Sequence, residues 1–214
     1  MKRRLLVLAG GLLGLGLWQT GEAAYIHAKA WLAYGLIDRS WQRTLEGEPA
    51  VKPWPHADFW PVAKLRFPAR DVELVVLSDA TGRTLAFGPG QLSGTTTQGS
   101  LPAVIAGHRD THFTALRGLE HGDRIELQSR SGEWTRYRVA YTFVITEDET
   151  PFLPIASSSV LTLITCHAST ALGTTSGWLV LQAVREDAVL ATGVSAETRS
   201  NSLIGRYSEA EGGA

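Results

Sequence analysis

A succession of short β-type segments, starting near residue 70, is the feature that most constrains the fold of this chain. Apolar, β-branched and aromatic residues fill seven runs, at residues 72–77, 84–87, 104–106, 124–128, 134–145, 160–166 and 178–184. Turn-forming residues separate the runs, and residues 79–82 and 129–132 are typical of hairpin turns. Residues 111–119 are predicted as a helical piece within this region. Seven or eight short strands at this spacing predict a mostly β domain, a closed or nearly closed β-barrel with short helices.

The N-terminal part has a different character. Lys2, Arg3 and Arg4 precede an uncharged, Leu/Gly-rich stretch at residues 5–18, which is long for a signal-peptide core and short for an ideal membrane span. We predict an uncleaved signal anchor, a transmembrane helix with its basic end in the cytoplasm, and a cleaved signal peptide is the alternative. The predicted units are an anchor, a stalk with a Pro/Trp-rich lead-in, the barrel and a disordered tail, at residues 1–25, 26–69, 70–190 and 191–214.

Charge gives no reason to expect a nucleic-acid partner. The chain has 20 basic and 21 acidic residues and a formal net charge of −1, so it lacks the excess of positive charge that binds phosphate backbones. The acidic residues 147–149 are interpreted as a solvated surface, with a calcium site as the alternative. No metal and no cofactor are predicted.

Cys166 is the only cysteine of the chain and stands at the end of an apolar β-type run. A single thiol cannot form a disulfide within the chain or a cysteine-rich metal site, so it is a buried filler or a nucleophile. His108 and His112 follow another apolar run upstream. A cysteine with a histidine brought close by the fold is the minimal set of groups for thiol catalysis.

These segments resemble a known family. Residues 162–166, TLITC, resemble the TLxTC active-site strand of sortases, the cysteine transpeptidases of bacterial surfaces, and Gly107-His108 is similar to their histidine segment. Residues 85–90 are similar to sortases of Gram-negative bacteria. The resemblance implies a sortase-type barrel facing the periplasm from a single-pass anchor in the inner membrane. It also implies exported protein substrates with a C-terminal, LPxTG-like sorting motif, which is cleaved and transferred to an amine acceptor.

The resemblance assigns a role to each matching residue. It makes Cys166 the nucleophile and His108 the proton donor, and it gives Thr165 a part in positioning the substrate and forming the oxyanion site. A two-histidine metal site with His112 lacks a carboxylate partner, so we predict a structural role for that residue. His167 is predicted to point away from Cys166, because neighbouring residues of a strand face opposite sides.

One element departs from the family pattern. Sortases carry an arginine on the strand after the cysteine loop, and Trp178 stands at that position here. Arg185 is a poor substitute because it lies far along the same strand, and Arg109 and Arg117 remain possible through the fold. Two alternatives therefore stay open: a catalytically weakened sortase-fold protein that only binds a sorting peptide, and another exported Cys/His cell-wall transpeptidase.

Overall fold

The computed structural model describes residues 2–95, 101–146, 159–169 and 175–188. Its α-helices are α1 (Lys2–Leu45) and α2 (Gly82–Leu85), and two 3-10 helices lie at Pro68–Arg70 and His112–Leu116. Its strands are β1 (Pro61–Phe67), β2 (Val72–Leu77), β3 (Gly90–Gln91), β4 (Val104–Ala106), β5 (Arg124–Gln128), β6 (Trp134–Thr146), β7 (Val160–Ser169) and β8 (Thr175–Arg185). The predicted tail and the acidic residues 147–149 lie outside the described residues.

The eight described strands close into a barrel in the order β1-β2-β3-β4-β7-β8-β6-β5. The pairs β2–β3 and β4–β7 are parallel, and the other neighbours are antiparallel. The predicted turn at residues 129–132 joins β5 to β6 as a hairpin, with the Gly132 N–H donating to the Ser129 carbonyl over 3.0 Å. The closed, mostly β architecture that the sequence predicts is confirmed.

The core lies inside the barrel and follows the period-2 alternation of the strands. On β7 and β8 the inward positions carry Leu161, Leu163, Leu181 and Ala183, all of them fully buried. Side chains from the other strands and from the second 3-10 helix complete this core: Leu65, Phe67, Val76, Ile105, Phe113, Ile125 and Leu127. The residues between the inward positions of β7 and β8 face outward, which decides where the candidate site opens.

The barrel begins earlier than the sequence predicts. Strand β1 lies in the segment assigned to the lead-in, and it pairs with β2 on one side and β5 on the other. Its inward residues are buried while Lys64 and Arg66 are only partly covered, which is the alternation of a strand with one face in the core. Pro61 is tolerated because it occupies the first position of the strand. The boundary at residue 70 is therefore too late.

Residues 84–87 are not the strand that their composition predicts. Asp79 accepts hydrogen bonds from the N–H and the hydroxyl of Thr81, at 3.0 and 2.8 Å. Thr81 then caps α2, with its hydroxyl accepting from the Thr84 N–H. The predicted hairpin turn at residues 79–82 is therefore a helix start, because Asp and Thr side chains offer the backbone these local bonds.

The C-terminal part of α1 packs on the barrel, and its earlier part does not. Ile37, Ser40, Trp41 and Thr44 share one helix face and are buried, at the spacing expected for an amphipathic helix. Ile37 packs with Phe59 and Leu77 beside the barrel. Apolar side chains between residues 12 and 34 are largely exposed. Within the described residues, no helix combines the length and the apolar character needed to cross a membrane.

Candidate active site

The parallel pairing of β4 with β7 brings the histidine segment to the cysteine. Ala106 lies opposite Ile164, and the next N–H along, that of Gly107, donates to the Ile164 carbonyl over 3.1 Å. Continuing both chains in this register sets His108 beside Cys166. Both side chains are exposed, so the thiol and the imidazole open to solvent at the same end of the strand pair.

Thr165 ties the two segments together from the inside. Its side chain faces the interior, is 3% exposed, and donates a hydrogen bond to the Gly107 carbonyl over 2.7 Å. Cys166, the next residue on the strand, faces the opposite side. In this structure the Thr165 hydroxyl therefore holds the histidine loop in register, and its predicted contact with the oxyanion stays a prediction.

Gly107 is required by close packing. A Cβ built at this position would lie 2.8 Å from the ring of Phe113, well inside ordinary van der Waals contact. The loop then folds back, since the Phe113 N–H donates to the His108 carbonyl over 3.0 Å. The fully buried Phe113 ring thus fixes the backbone from which the His108 side chain projects.

His112 is buried and differs from His108 in its surroundings. Its side chain is 7% exposed, and its Nδ1 lies 3.2 Å from the Thr111 hydroxyl. Burial lowers the pKa of His112 below its ordinary value, and the nearby His108 charge lowers it further. Because the folded form resists protonation, His112 opposes folding increasingly as the pH falls through 6.5, the unfolded value. These surroundings fit the predicted structural role.

Trp178 lies directly opposite Cys166 on β8, at the position where the family pattern has arginine. Directly opposed residues of neighbouring strands face the same side, so the indole flanks the thiol. Its exposed fraction is 44%, so Trp178 is not a core residue. Arg185 lies at the other end of the same strand pair, where Val184 is opposite Val160, and its Nε donates to Asp187 over 2.8 Å.

A charged cluster flanks the histidine, and the sequence analysis missed its anionic member. Asp110 accepts from Arg109 at both carboxylate oxygens, over 3.0 and 3.2 Å, and from Arg117 over 2.5 Å. The direct succession of Arg109 and Asp110 in the sequence was the available signal. Elsewhere in the described parts of the chain, no three His, Cys, Asp or Glu side chains converge on a point where a metal ion could bind.

The comparison with protein families decides the identity. The sortase domain family matches residues 65–186, which is more than half of the chain and covers both the histidine loop and the cysteine strand. This chain belongs to the sortase family. Membership implies a cysteine transpeptidase of the sortase type. No protein with a curated description matches the chain.

Solved structures of other sortases share the fold. Sortase A from Corynebacterium diphtheriae is 23% identical, with a TM-score of 0.50 over 72% of this chain and 83% of that chain. Its lid mutant is 28% identical, with a TM-score of 0.49 over 61% of this chain and 72% of that one. Sortase C from Clostridium perfringens, determined with the C-terminal cell wall sorting motif, is 21% identical, with a TM-score of 0.49 over 74% and 89%.

Thr165→Val should separate the hydroxyl of Thr165 from its shape. Valine fills the same volume but leaves the buried Gly107 carbonyl without its donor, which costs about 1–3 kcal/mol of unfolding free energy. We expect lower stability in denaturant titration and lower peptide turnover, because the histidine loop loses its tie to the cysteine strand. Thr165→Ser, which keeps the hydroxyl, should retain most of both. A Thr165→Val protein with native stability and turnover would contradict this role.

Proposed function

We propose that this sortase cleaves a C-terminal sorting motif of LPxTG type in exported proteins and transfers the acyl part to an amine. The β4–β7 pairing, which sets His108 beside the exposed Cys166 thiol, is the observation that carries the proposal. The sortase family match supports the reaction class, and the resemblance of TLITC to the family's active-site strand supports the roles of the residues.

The reaction has two halves. In the first, the Cys166 Sγ forms a bond to the carbonyl carbon of the scissile peptide bond, and the carbonyl electrons move to its oxygen. As this adduct collapses, the C–N bond breaks, and the leaving nitrogen takes a proton from His108. A thioacyl enzyme remains. In the second half, an acceptor amine attacks the thioester, His108 receives a proton from the amine, and Cys166 leaves as a thiolate.

The trapped intermediate is the direct test of this proposal. The full chain is incubated with a panel of peptides that carry LPxTG-like motifs, and intact-mass spectrometry then looks for an acyl adduct on the single cysteine. Hydroxylamine or an added amine should release the adduct as a new amide or hydroxamate product. A protein that binds these peptides but never gains acyl mass would instead support the peptide-binding alternative, for which Trp178 opposite the thiol is the favouring observation.

The membrane anchor, the periplasmic location and the Gram-negative subtype stay predictions from the sequence. So do the identity of the sorting motif and of the acceptor amine.

A further inference from the structure

The chemistry of the proposed function, on which this inference rests, needs positive charge at the thiol. Negative charge resides on the attacking thiolate and then on the carbonyl oxygen of the adduct. A fixed cation at that point stabilises the transition state, and the loss of one oxyanion donor typically costs about 10² to 10³ in rate. On β8, the residue opposite Cys166 is Trp178, whose indole is neutral.

Arg185 is in the wrong place to supply the charge. Seven residues of extended strand separate it from Trp178, which is about 23 Å. Its guanidinium is also held by Asp187 at the far end of the strand pair. Exposed charges at such a distance are screened by salt at physiological ionic strength.

Arg109 is in the right place. It is two residues beyond Gly107, whose backbone is bonded on one side to Ile164 and on the other to Thr165, the two residues that precede Cys166. Its side chain is only 29% exposed, and the Asp110 carboxylate holds it at both Nε and Nη2. A guanidinium gripped by two hydrogen bonds keeps a fixed orientation.

The cluster keeps a positive charge although Asp110 is part of it. Arg117 shares the same carboxylate, so two cations surround one anion and the net charge is +1. Asp110 therefore orients Arg109 without cancelling the field of the cluster. At a partly exposed site, such a charge acts over short distances, on the neighbouring thiol above all.

We infer that Arg109 supplies the fixed positive charge beside the Cys166 thiol, in place of the arginine that the family carries on the strand of Trp178. Asp110 acts as the positioning residue for this guanidinium. The electrostatics agree with the placement: the hydrogen bond and charge of Asp110 raise the pKa of Arg109, and the negative charge of the Cys166 thiolate adds to the increase.

The alkylation of Cys166 by two reagents of different charge tests this inference. Iodoacetate is an anion and iodoacetamide is neutral, so the ratio of their rates reports the local charge, and the fraction of thiolate cancels from the ratio. Intact-mass spectrometry reads the rates without ambiguity because the chain has one cysteine. Arg109→Gln should lower the ratio about fourfold, the Boltzmann factor for a unit charge ~5 Å away in water.

The control is Arg185→Gln, which makes the same change of net charge at the far end of the strand pair and should leave the ratio unchanged. Arg109→Lys should keep most of the ratio. If Arg109→Gln does not fold, Arg109→Leu keeps the aliphatic stem and serves in its place. A ratio that stays native without Arg109, or that falls equally in both glutamine variants, would overturn the inference.

Peptide turnover provides a second measurement. Arg109→Gln should lower kcat by about 10² or more, and adding Trp178→Arg to that variant should restore part of kcat and part of the alkylation ratio. The exposed Trp178 can be replaced without opening a cavity in the core. If the native protein cleaves no peptide, the proposed function fails, while the alkylation ratio still decides whether Arg109 charges the thiol.

Discussion

Replacing Cys166 by alanine should abolish both the acyl adduct and peptide cleavage. The reaction passes through a thioester on this sulfur, and no other cysteine in the chain can take its place. The protein should stay folded, since the side chain is exposed at the edge of the site and outside the buried core, where a substitution usually changes stability by less than about 0.5 kcal/mol. Turnover is followed by chromatography of the peptide products, and folding by thermal denaturation.

Cys166→Ser is the matched control for this variant. The hydroxyl keeps the shape and polarity of the thiol but is a far weaker nucleophile without a strong base, so turnover should still be lost while peptide binding is retained. Cleavage that persists in a folded Cys166→Ala protein would end the proposal of thiol catalysis. Binding that disappears together with cleavage in both variants would mean that the thiol is needed to hold the peptide.

The barrel could be predicted because most of its strands announce themselves locally. Runs such as those of β5, β6 and β7 combine β-branched and aromatic residues with flanking turn residues, and their identity does not depend on distant contacts. The meeting of Cys166 with the histidine loop was predictable only through the family resemblance. In the structure it results from the pairing of β4 with β7, two segments far apart in the sequence.

The misassigned segments failed for opposite reasons. Residues 84–87 have strand composition, but the local hydrogen bonds of Asp79 and Thr81 start a helix there. Strand β1 lies in a proline-rich region that argues against regular structure, yet two strands of the barrel pair with it. Local side-chain bonds overrode composition in the first case, and tertiary pairing overrode local propensity in the second.

The position of positive charge at the site was the least predictable feature. Period-2 alternation and strand length were enough to count against Arg185. The grip of Asp110 on Arg109 and Arg117 depends on how the loop after β4 folds back over Phe113. No periodicity records such a turn, so the sequence could name Arg109 only as one possibility among several.

His108→Gln should lower peptide turnover by about 10² to 10⁴, the range typical for a lost general acid. Glutamine can still donate a hydrogen bond, but it cannot deliver a proton to the leaving nitrogen, so formation of the thioacyl enzyme should become slow. Stability should change little because His108 is exposed on its loop. Single-turnover kinetics with the acyl adduct as the signal measures this step directly.

The choice of His108 over the other histidines can be tested with two further variants. His121→Gln changes an exposed histidine in the turn before β5 and should leave turnover native. His112→Gln changes a buried histidine whose lowered pKa keeps it neutral, so we expect a loss of stability larger than any loss of turnover in the folded fraction. If His112→Gln instead slowed acylation more than His108→Gln at equal folding, the proton donor would be His112. The exposed imidazole would then only line the site. Burial argues against that outcome, because a general acid must reach the departing amine, and His108 is the histidine that opens toward the Cys166 thiol.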